Sequence, residues 1–143
     1  VRSNHSLEHI PNPHETLKEV GRIIKPGGKL LIGVPNTKSV AFNLFKDNWW
    51  TLGAPQHPIN YNESSLRALV LPYGFSVSSA ISNSPYIGIL GSYQIKINNR
   101  KKQPGDTGFV LNILPLRVIS GFITKLIDFT GKGDCLEMVF EKQ

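Results

Sequence analysis

The sequence predicts an α/β protein whose strands form a parallel sheet, and three features support this prediction. An amphipathic segment over 13–25 leads into a nearly continuous apolar run over 30–34. Such a run is typical of a strand buried on both faces of a parallel sheet. The chain has 143 residues, of which 40% are hydrophobic and 18% are charged, so it can bury the core of one domain.

The composition narrows the classes of function. Cys135 is the only cysteine, which excludes an internal disulfide and a cysteine-based zinc cluster, and we therefore expect a cytoplasmic protein. No signal peptide is visible and the first residue is not methionine, so we expect a processed chain or a fragment. The formal net charge is +6, but basic residues cluster only at 100–102, as in a solvated loop, and we expect no nucleic acid partner.

The first helix is predicted over 13–25, with Asn12 placed to cap it and Pro13 at its first position. Its apolar residues recur at helical spacing and are Leu17, Val20, Ile23 and Ile24. Residues 26–28 read Pro-Gly-Gly and end the helix before the strand at 30–34.

A parallel partner for this strand must precede the helix, at or before residue 4. Only a few residues are available for it, so we expect an incomplete domain. Residues 5–9 would then lie at the carboxyl end of that strand, beside the loop after Val34. Open α/β sheets bind ligands at this edge.

The middle of the chain predicts a short helix over 39–45, a loop over 49–61 and a helix over 63–71 capped by Asn62. A strand over 75–81 follows. The segment 86–98 stays open, because its apolar residues alternate as in a strand while two glycines interrupt it.

The last part of the chain predicts one long apolar helical segment over 109–129, a turn over 132–134 and a final strand over 135–140. The helical segment is too charged to span a membrane. Its polar residues fall on one stripe and are Arg117, Ser120, Thr124 and Asp128.

His5, Glu8 and His9 form an H-x-x-E-H pattern, the spacing of one class of zinc peptidases. That chemistry requires both imidazoles on one face of a stable helix. Pro11 biases the preceding residue away from helical geometry, and only four residues precede His5. We therefore predict no metal site of this kind.

A family resemblance explains more of the chain. The segments HSLEHIPNP and RIIKPGGKLLIGVPN, separated by a helix, resemble the second half of class I S-adenosylmethionine-dependent methyltransferases. The phrase at 25–30, KPGGKL, is the most recognisable part. The resemblance continues at Trp50, Leu52, Pro55, His57, Tyr61, Ser65, Leu66, Gly74, Phe75, Gly131, Gly133 and Asp134.

The resemblance implies the carboxyl-terminal part of a Rossmann-like sheet, mostly parallel with an antiparallel last strand and flanking helices. It divides 1–143, as a single partial domain, into the end of a cofactor-binding core (1–36), an acceptor-side loop (37–62) and carboxyl-terminal strands with a helical insertion (63–143). The family's glycine-rich turn after the first strand and the acidic residue after the second are missing. We therefore expect little or no activity from this chain alone.

The resemblance also implies site residues. Asn4, His5 and Ser6 would line the pocket for S-adenosyl-L-methionine; alternatively, their polar groups only satisfy the backbone of a strand-to-helix turn. Glu8 and His9 would orient that turn.

His57 is the candidate catalytic base, because its unperturbed pKa lies near neutrality and a methyl acceptor must lose a proton. Asn36, Trp50 and Tyr61 are candidates for binding a small-molecule acceptor. The alternatives are loop packing for His57, turn chemistry for Asn36 and core packing for Trp50.

The sequence thus predicts methyl transfer to an oxygen or nitrogen of a small molecule in the complete protein. The rival from another class is a non-catalytic module that a partner chain completes. The 109–129 segment would be a lid or a packing element, with an interfacial membrane helix or a dimer contact as alternatives.

Overall fold

The structure is a computed structural model that describes residues 1–53, 55–98 and 110–143. Within these residues the strands are β1 (Arg2–Asn4), β2 (Lys29–Pro35), β3 (Phe75–Asn83) and β4 (Cys135–Lys142). The α-helices are α1 (Pro13–Ile23), α2 (Val40–Phe45), α3 (Glu63–Val70), α4 (Ile87–Asn98) and α5 (Leu114–Asp128). Short 3-10 turns lie at Leu7–His9, Lys46–Asn48, Trp50–Leu52, Leu71–Tyr73 and Val110–Asn112.

The described strands form one mixed sheet in the order β1-β2-β4-β3. β2 is parallel to β1 and antiparallel to β4, and β4 is also antiparallel to β3. The α/β prediction and the antiparallel last strand are therefore confirmed. The last strand inserts between β2 and β3, so β2 has one parallel and one antiparallel neighbour.

The strand predicted before the first helix is β1. It pairs with β2 over three residues, from Arg2 opposite Leu31 to Asn4 opposite Gly33. The backbone N–H of His5 extends the ladder by donating to the carbonyl of Gly33 at 2.8 Å. The short segment therefore pairs despite its length.

The main core lies between one face of the sheet and the helices α1 and α3. Its largest cluster consists of Leu7, Leu17, Ile24, Leu30, Ile32, Val34, Tyr61, Leu66, Val70, Phe75, Leu136, Met138 and Phe140. Leu31, on the opposite face of β2, is only half-buried. Gly33 and Pro35, on that same face, are buried, so the run at 30–34 is covered on both faces as predicted, with Leu31 as its most exposed residue.

One of the two predicted helix caps makes the expected hydrogen bond, since Asn62 forms a reciprocal capping box with Ser65. Ser39, for which no cap was predicted, also caps its helix by accepting the N–H of Phe42 at 2.9 Å. Asn12 occupies the cap position of α1, but its side chain makes no capping bond. Pro13 at the first position of α1 is confirmed.

The segment left open at 86–98 contains the helix α4. Its buried positions are 88, 90, 91, 92, 94 and 95, as expected for a helix packed over a wide face. Two of them are glycines, and a side chain at Gly91 would collide with the indole of Trp50, while one at Gly88 would collide with Asp134. The sequence pattern hid the helix because small and polar residues share its packed face with the apolar Leu90 and Ile95.

The helical segment predicted at 109–129 consists of a 3-10 turn and α5, with Pro115 in the first turn of α5. Its polar stripe faces inward, since Ser120 and Thr124 are buried. Its apolar residues face outward and include Leu114, Val118, Ile119, Phe122, Ile123, Leu126 and Phe129. Among the described residues, no helix is both long and apolar enough to cross a membrane.

Two features from the sequence fall outside the described ranges. The basic trio at 100–102 and the first residue of the predicted 109–129 segment both lie there.

Candidate functional site

The carboxyl ends of β1 and β2 lie side by side, as expected for parallel strands. His5 leaves β1 with a positive φ of 49°, a backbone conformation that non-glycine residues rarely adopt. Asn36, directly after β2, forms a parallel bridge with Tyr61 from the long loop. This bridge brings the loop that carries His57 to the edge of the sheet.

The three predicted cofactor residues are exposed at the end of β1. The side-chain oxygen of Asn4 lies directly over Gly33, where a Cβ would collide with it. Ser6 shares a 2.7 Å hydrogen bond with the hydroxyl of Ser3, and His5 Nδ1 lies 3.3 Å from Oε1 of Glu8. Their outer surfaces are open to a ligand.

Glu8 is the deepest group at this edge, with an exposed fraction of 0%. His5 contacts one of its carboxylate oxygens. The other oxygen, Oε2, is buried and has no hydrogen-bond partner among the described residues. A buried carboxylate oxygen without a partner is costly, so this atom marks a place where a bound group would be stabilising.

His9 and His57 meet beside this carboxylate. Their rings pack edge to face with centroids 4.6 Å apart. His9 Nδ1 lies 2.9 Å from the carbonyl oxygen of Gln56, and His57 is half-buried. One ligand atom from each of Glu8, His9 and His57 lies within 4.8 Å of the other two.

Tyr61 lies in the core on the inner side of the same group. Its exposed fraction is 3%, and its hydroxyl has no hydrogen-bond partner within the described part of the chain. Burial, and to a smaller extent the negative charge of Glu8, raises the pKa of Tyr61 to about 12. The phenol is therefore neutral at physiological pH and can donate a hydrogen bond.

Asn36 is buried, and its side-chain amide bonds to the backbone. Its Nδ2 donates to the carbonyl of Gly133 at 3.0 Å, and its Oδ1 accepts the N–H of Lys38 at 3.0 Å. These contacts tie the end of β2 to the start of β4. They favour the turn role that the sequence left open for Asn36.

Trp50 lies away from the histidine pair. Its indole packs against Gly91 of α4 and joins the cluster of Leu90 and Val110. The structure therefore brings Tyr61 and His57 to one edge but places Trp50 at α4, a position that fits its alternative role in packing.

A second buried polar group links this half of the sheet to the helices α4 and α5. Trp49 donates its indole N–H to Oδ1 of Asp134 at 3.1 Å. Burial raises the pKa of Asp134, and the Trp49 hydrogen bond only partly offsets that effect. Next to it, burial and the charge of Asp134 raise the pKa of the Cys135 thiol to about 12. Sequence reasoning did not find the role of Asp134, because nothing in the spacing joins position 134 to Trp49.

The sequence did not predict the cluster of Glu8, His9 and His57, because its spacing joined His5, Glu8 and His9 in one motif. The bridge between Asn36 and Tyr61 returns the long loop, and residue 57 with it, to the end of β1. No spacing rule predicts that return.

A comparison with protein families matches the part of the chain that forms this edge. A family model described as a methyltransferase domain matches residues 1–80, more than half of the 143 residues. The matched part includes β1, β2 and the loop with His57. No curated protein matches the chain.

Solved structures share the fold over nearly the whole chain. A SAM-dependent methyltransferase from Archaeoglobus fulgidus matches 99% of the chain with a TM-score of 0.55 at 19% identity, and the match covers 58% of that protein. A SAM-dependent methyltransferase from Thermotoga maritima, described as a possible histamine N-methyltransferase, gives a TM-score of 0.58 at 15% identity, with coverages of 99% and 55%. The [4+2]-cyclase SpnF gives a TM-score of 0.53 at 13% identity, with coverages of 99% and 49%.

The chain thus spans about half to three fifths of the length of these structures. At such low identities the likeness concerns the fold alone. The family match is independent of it and contains both parallel strands and the loop that meets them. The chain belongs to the methyltransferase-domain family.

Proposed function

We propose that the complete protein transfers a methyl group from S-adenosyl-L-methionine to an oxygen or nitrogen of a small molecule. This chain would supply the acceptor side and part of the cofactor side of the site. The observation that carries the proposal is the polar edge formed by β1, β2 and the His57 loop within a segment that matches the methyltransferase domain. In open α/β folds this edge is where ligands bind.

The residues at the end of β1 fit one portion of the cofactor. Asn4, His5 and Ser6 offer an amide, an imidazole and a hydroxyl on an exposed surface. These groups suit the polar parts of a nucleoside or an amino acid. The glycine-rich turn and the ribose-binding acid of the family are not among the 143 residues, so these contacts would form only part of a site. By our proposal, 1–36 ends the cofactor core and 37–62 forms the acceptor side.

S-adenosylmethionine supplies a methyl group on a positively charged sulfur. The acceptor would take this methyl group from the sulfur, leaving S-adenosylhomocysteine, and would give up its proton. The chain's part is to align the acceptor and take that proton. The position of His57, half-buried at the edge and 4.6 Å from the ring of His9 by centroid distance, supports proposing it for this task.

The cofactor part is tested with S-adenosylhomocysteine and the ¹⁵N-labelled chain by NMR. At millimolar ligand we expect amide shifts at Asn4, His5 and Ser6, because even a partial site perturbs the groups that it contacts. Ser79→Ala, on exposed β3, serves as the control and leaves these shifts unchanged, whereas Ser6→Ala reduces them. A folded sample with no shifts, or with shifts only elsewhere, contradicts the proposal.

Turnover is tested in the complete protein by following S-adenosylhomocysteine formation with phenolic and amine acceptors. His57→Ala is expected to lower turnover more than cofactor affinity, because residue 57 acts on the acceptor. An equal loss of both argues against this role.

A second candidate function is a non-catalytic module that a partner completes. One comparison favours keeping it: a Haloferax volcanii complex between the Trm112 methyltransferase activator and a methyltransferase also matches, with a TM-score of 0.53. If S-adenosylhomocysteine fails to bind and no methyl transfer occurs, this candidate replaces the first.

We also propose that the outward face of α5 contacts an anionic membrane surface. Phe122 and Phe129 are exposed by 67% and 88%, Lys125 extends from the same helix, and the chain carries a formal charge of +6. We expect the chain to float with vesicles containing phosphatidylserine, and Phe122→Ser to reduce this binding. A dimer in solution without vesicle binding would assign the face to a second copy.

A further inference from the structure

We propose that Glu8, His9 and His57 form a binding site for a divalent first-row transition metal such as Zn²⁺. The inference deepens the proposed function, since it gives the acceptor edge a metal, but the binding itself does not depend on that function. It replaces the expectation, drawn from the sequence, that the chain has no metal site. The motif considered there used His5, whereas the structure substitutes His57 from a distant loop.

The carboxylate provides the first argument. Glu8 is fully buried, and its Oε2 lacks a hydrogen-bond partner among the described residues, while Oε1 lies 3.3 Å from His5 Nδ1. Burial of a carboxylate favours a partner with positive charge. A cation bound at Oε2 would satisfy the oxygen that the fold leaves unpaired.

The orientation of His9 provides the second argument. Its Nδ1 lies 2.9 Å from the carbonyl oxygen of Gln56, and a carbonyl only accepts hydrogen bonds, so Nδ1 carries the proton. In the neutral ring, Nε2 then keeps its lone pair for a metal. A metal-bound histidine commonly has this arrangement, with one nitrogen held by a carbonyl and the other bound to the ion.

His57 is held by its own loop. Its N–H donates to the carbonyl of Gly53 at 3.0 Å, and the Cα of Gly53 lies against the His57 ring, so that a Cβ there would collide with it. Gly53 also has a positive φ of 63°. The tight turn thus presses the imidazole toward the edge of the sheet, where it meets His9.

The ligand set indicates the class of ion. Two imidazoles and one carboxylate suit zinc, iron or cobalt better than magnesium or calcium, which prefer oxygen ligands. Ligand atoms that share an ion at about 2.1 Å lie roughly 3–4 Å apart, so small side-chain rotations from the present separations, which are at most 4.8 Å, would close the site. His9 is exposed, which leaves room for water or an acceptor oxygen in the open positions.

The chemical consequence concerns the proton of the acceptor. A hydroxyl bound to a divalent ion loses its proton more readily, and the proton passes to solvent or a nearby base. With the ion bound, His57 would act on the acceptor through the metal, in place of the direct proton transfer proposed for it in the absence of an ion. Tyr61, which is neutral and buried beside Glu8, could donate a hydrogen bond at the same place.

The test is a titration of the folded chain with Co²⁺ alone, followed by absorption spectroscopy, with Zn²⁺ as competitor. We expect one equivalent of Co²⁺ to bind with a ligand-field spectrum and Zn²⁺ to displace it. His9→Ala and His57→Ala should each weaken binding on the order of a hundredfold, since each removes a ligand. His14→Ala, which removes an imidazole on α1 that bonds to Tyr73, should leave binding unchanged.

A matched pair of glycine variants covers the case in which the alanine variants fail to fold. Gly53→Ala and Gly131→Ala both place alanine at positive φ, at 63° and 72°, but only the former pushes on His57. We expect Gly53→Ala to weaken Co²⁺ binding and Gly131→Ala to leave it unchanged. Substoichiometric binding to the folded chain, or equal loss with His14→Ala, overturns the proposal. Metal binding without S-adenosylhomocysteine binding would reject the methyltransferase proposal and keep the metal site.

Discussion

The helices α3 and α5 bury opposite kinds of side chain. α3 buries Leu66 and Val70 against the sheet and exposes a Glu63–Arg67 ion pair. α5 buries Ser120 and Thr124 and exposes an apolar face. Both helices are amphipathic, yet only α3 turns its apolar side toward the core.

The contacts of α5 explain the inversion. Ser120 donates to the carbonyl of Tyr86 at 2.7 Å, and the carboxylate of Asp128 accepts the backbone N–H and the hydroxyl of Ser84 at 3.0 and 2.6 Å. The helix is thus attached through hydrogen bonds to loop and strand ends, while its apolar side is free. Amphipathicity alone shows that a helix has two sides, but the partners available decide which side faces inward.

The largest expected effect compares one substitution in the two helices. Leu66→Ala in α3 should lower the free energy of unfolding by about 2–5 kcal/mol, because Leu66 has an exposed fraction of 0% and its truncation leaves a cavity. Leu126→Ala in α5, where the exposed fraction is 52%, should change it by less than about 0.5 kcal/mol. Urea denaturation measures both, and equal losses would show that the face of α5 is buried in solution.

A smaller effect is expected from the inward side of α5. Ser120→Ala should lower the free energy of unfolding by about 1 kcal/mol, since it removes the hydrogen bond from the buried Ser120 hydroxyl to the carbonyl of Tyr86. Ser79→Ala on exposed β3 is the control and should cost less than about 0.5 kcal/mol. If Ser120→Ala stabilises the protein, the polar attachment of α5 is not what holds the helix in place.

The smallest effect is a change in pH dependence at Asp134, between the two regions. Its folded pKa lies above the ordinary value near 3.8, because burial disfavours the charged form. The folded state therefore holds the proton more tightly, and this contribution to stability is complete below the ordinary pKa and is lost as pH rises through the raised one.

Asp134→Asn should accordingly flatten the fall of the unfolding free energy as the pH rises above the ordinary carboxyl pKa near 3.8. Asp47→Asn, at an exposed acid, is the matched control and should retain the wild-type profile. Denaturation at a series of pH values measures the difference. Identical slopes for wild type and Asp134→Asn would assign the pH dependence to other groups.

The sequence predicted the parts of the fold that follow local rules. The first helix, the cap at Asn62 and the strand after the Pro-Gly-Gly turn at 26–28 all formed as expected, because each depends on neighbours within a few residues. The helix α4 was not predicted, because glycine, serine and glutamine share its packed face with apolar residues and break the periodic pattern.

The candidate site was predictable only in part. Polar residues at the strand ends indicated the edge, since parallel strands end together. The meeting of His9 with His57 depends on a loop that returns through the Asn36–Tyr61 bridge, and the inward side of α5 depends on partners from distant strands. Neither contact leaves a periodic signal in the sequence.

The buried thiol of Cys135 is a natural reporter of unfolding. With an exposed fraction of 8% and a pKa raised to about 12, it is shielded and almost entirely protonated at neutral pH, so thiol reagents attack the native state poorly. Because it is the only cysteine and begins the central strand β4, each labelling event reports that the middle of the sheet has opened. The rate of modification therefore measures how often the fold comes apart, without any added probe.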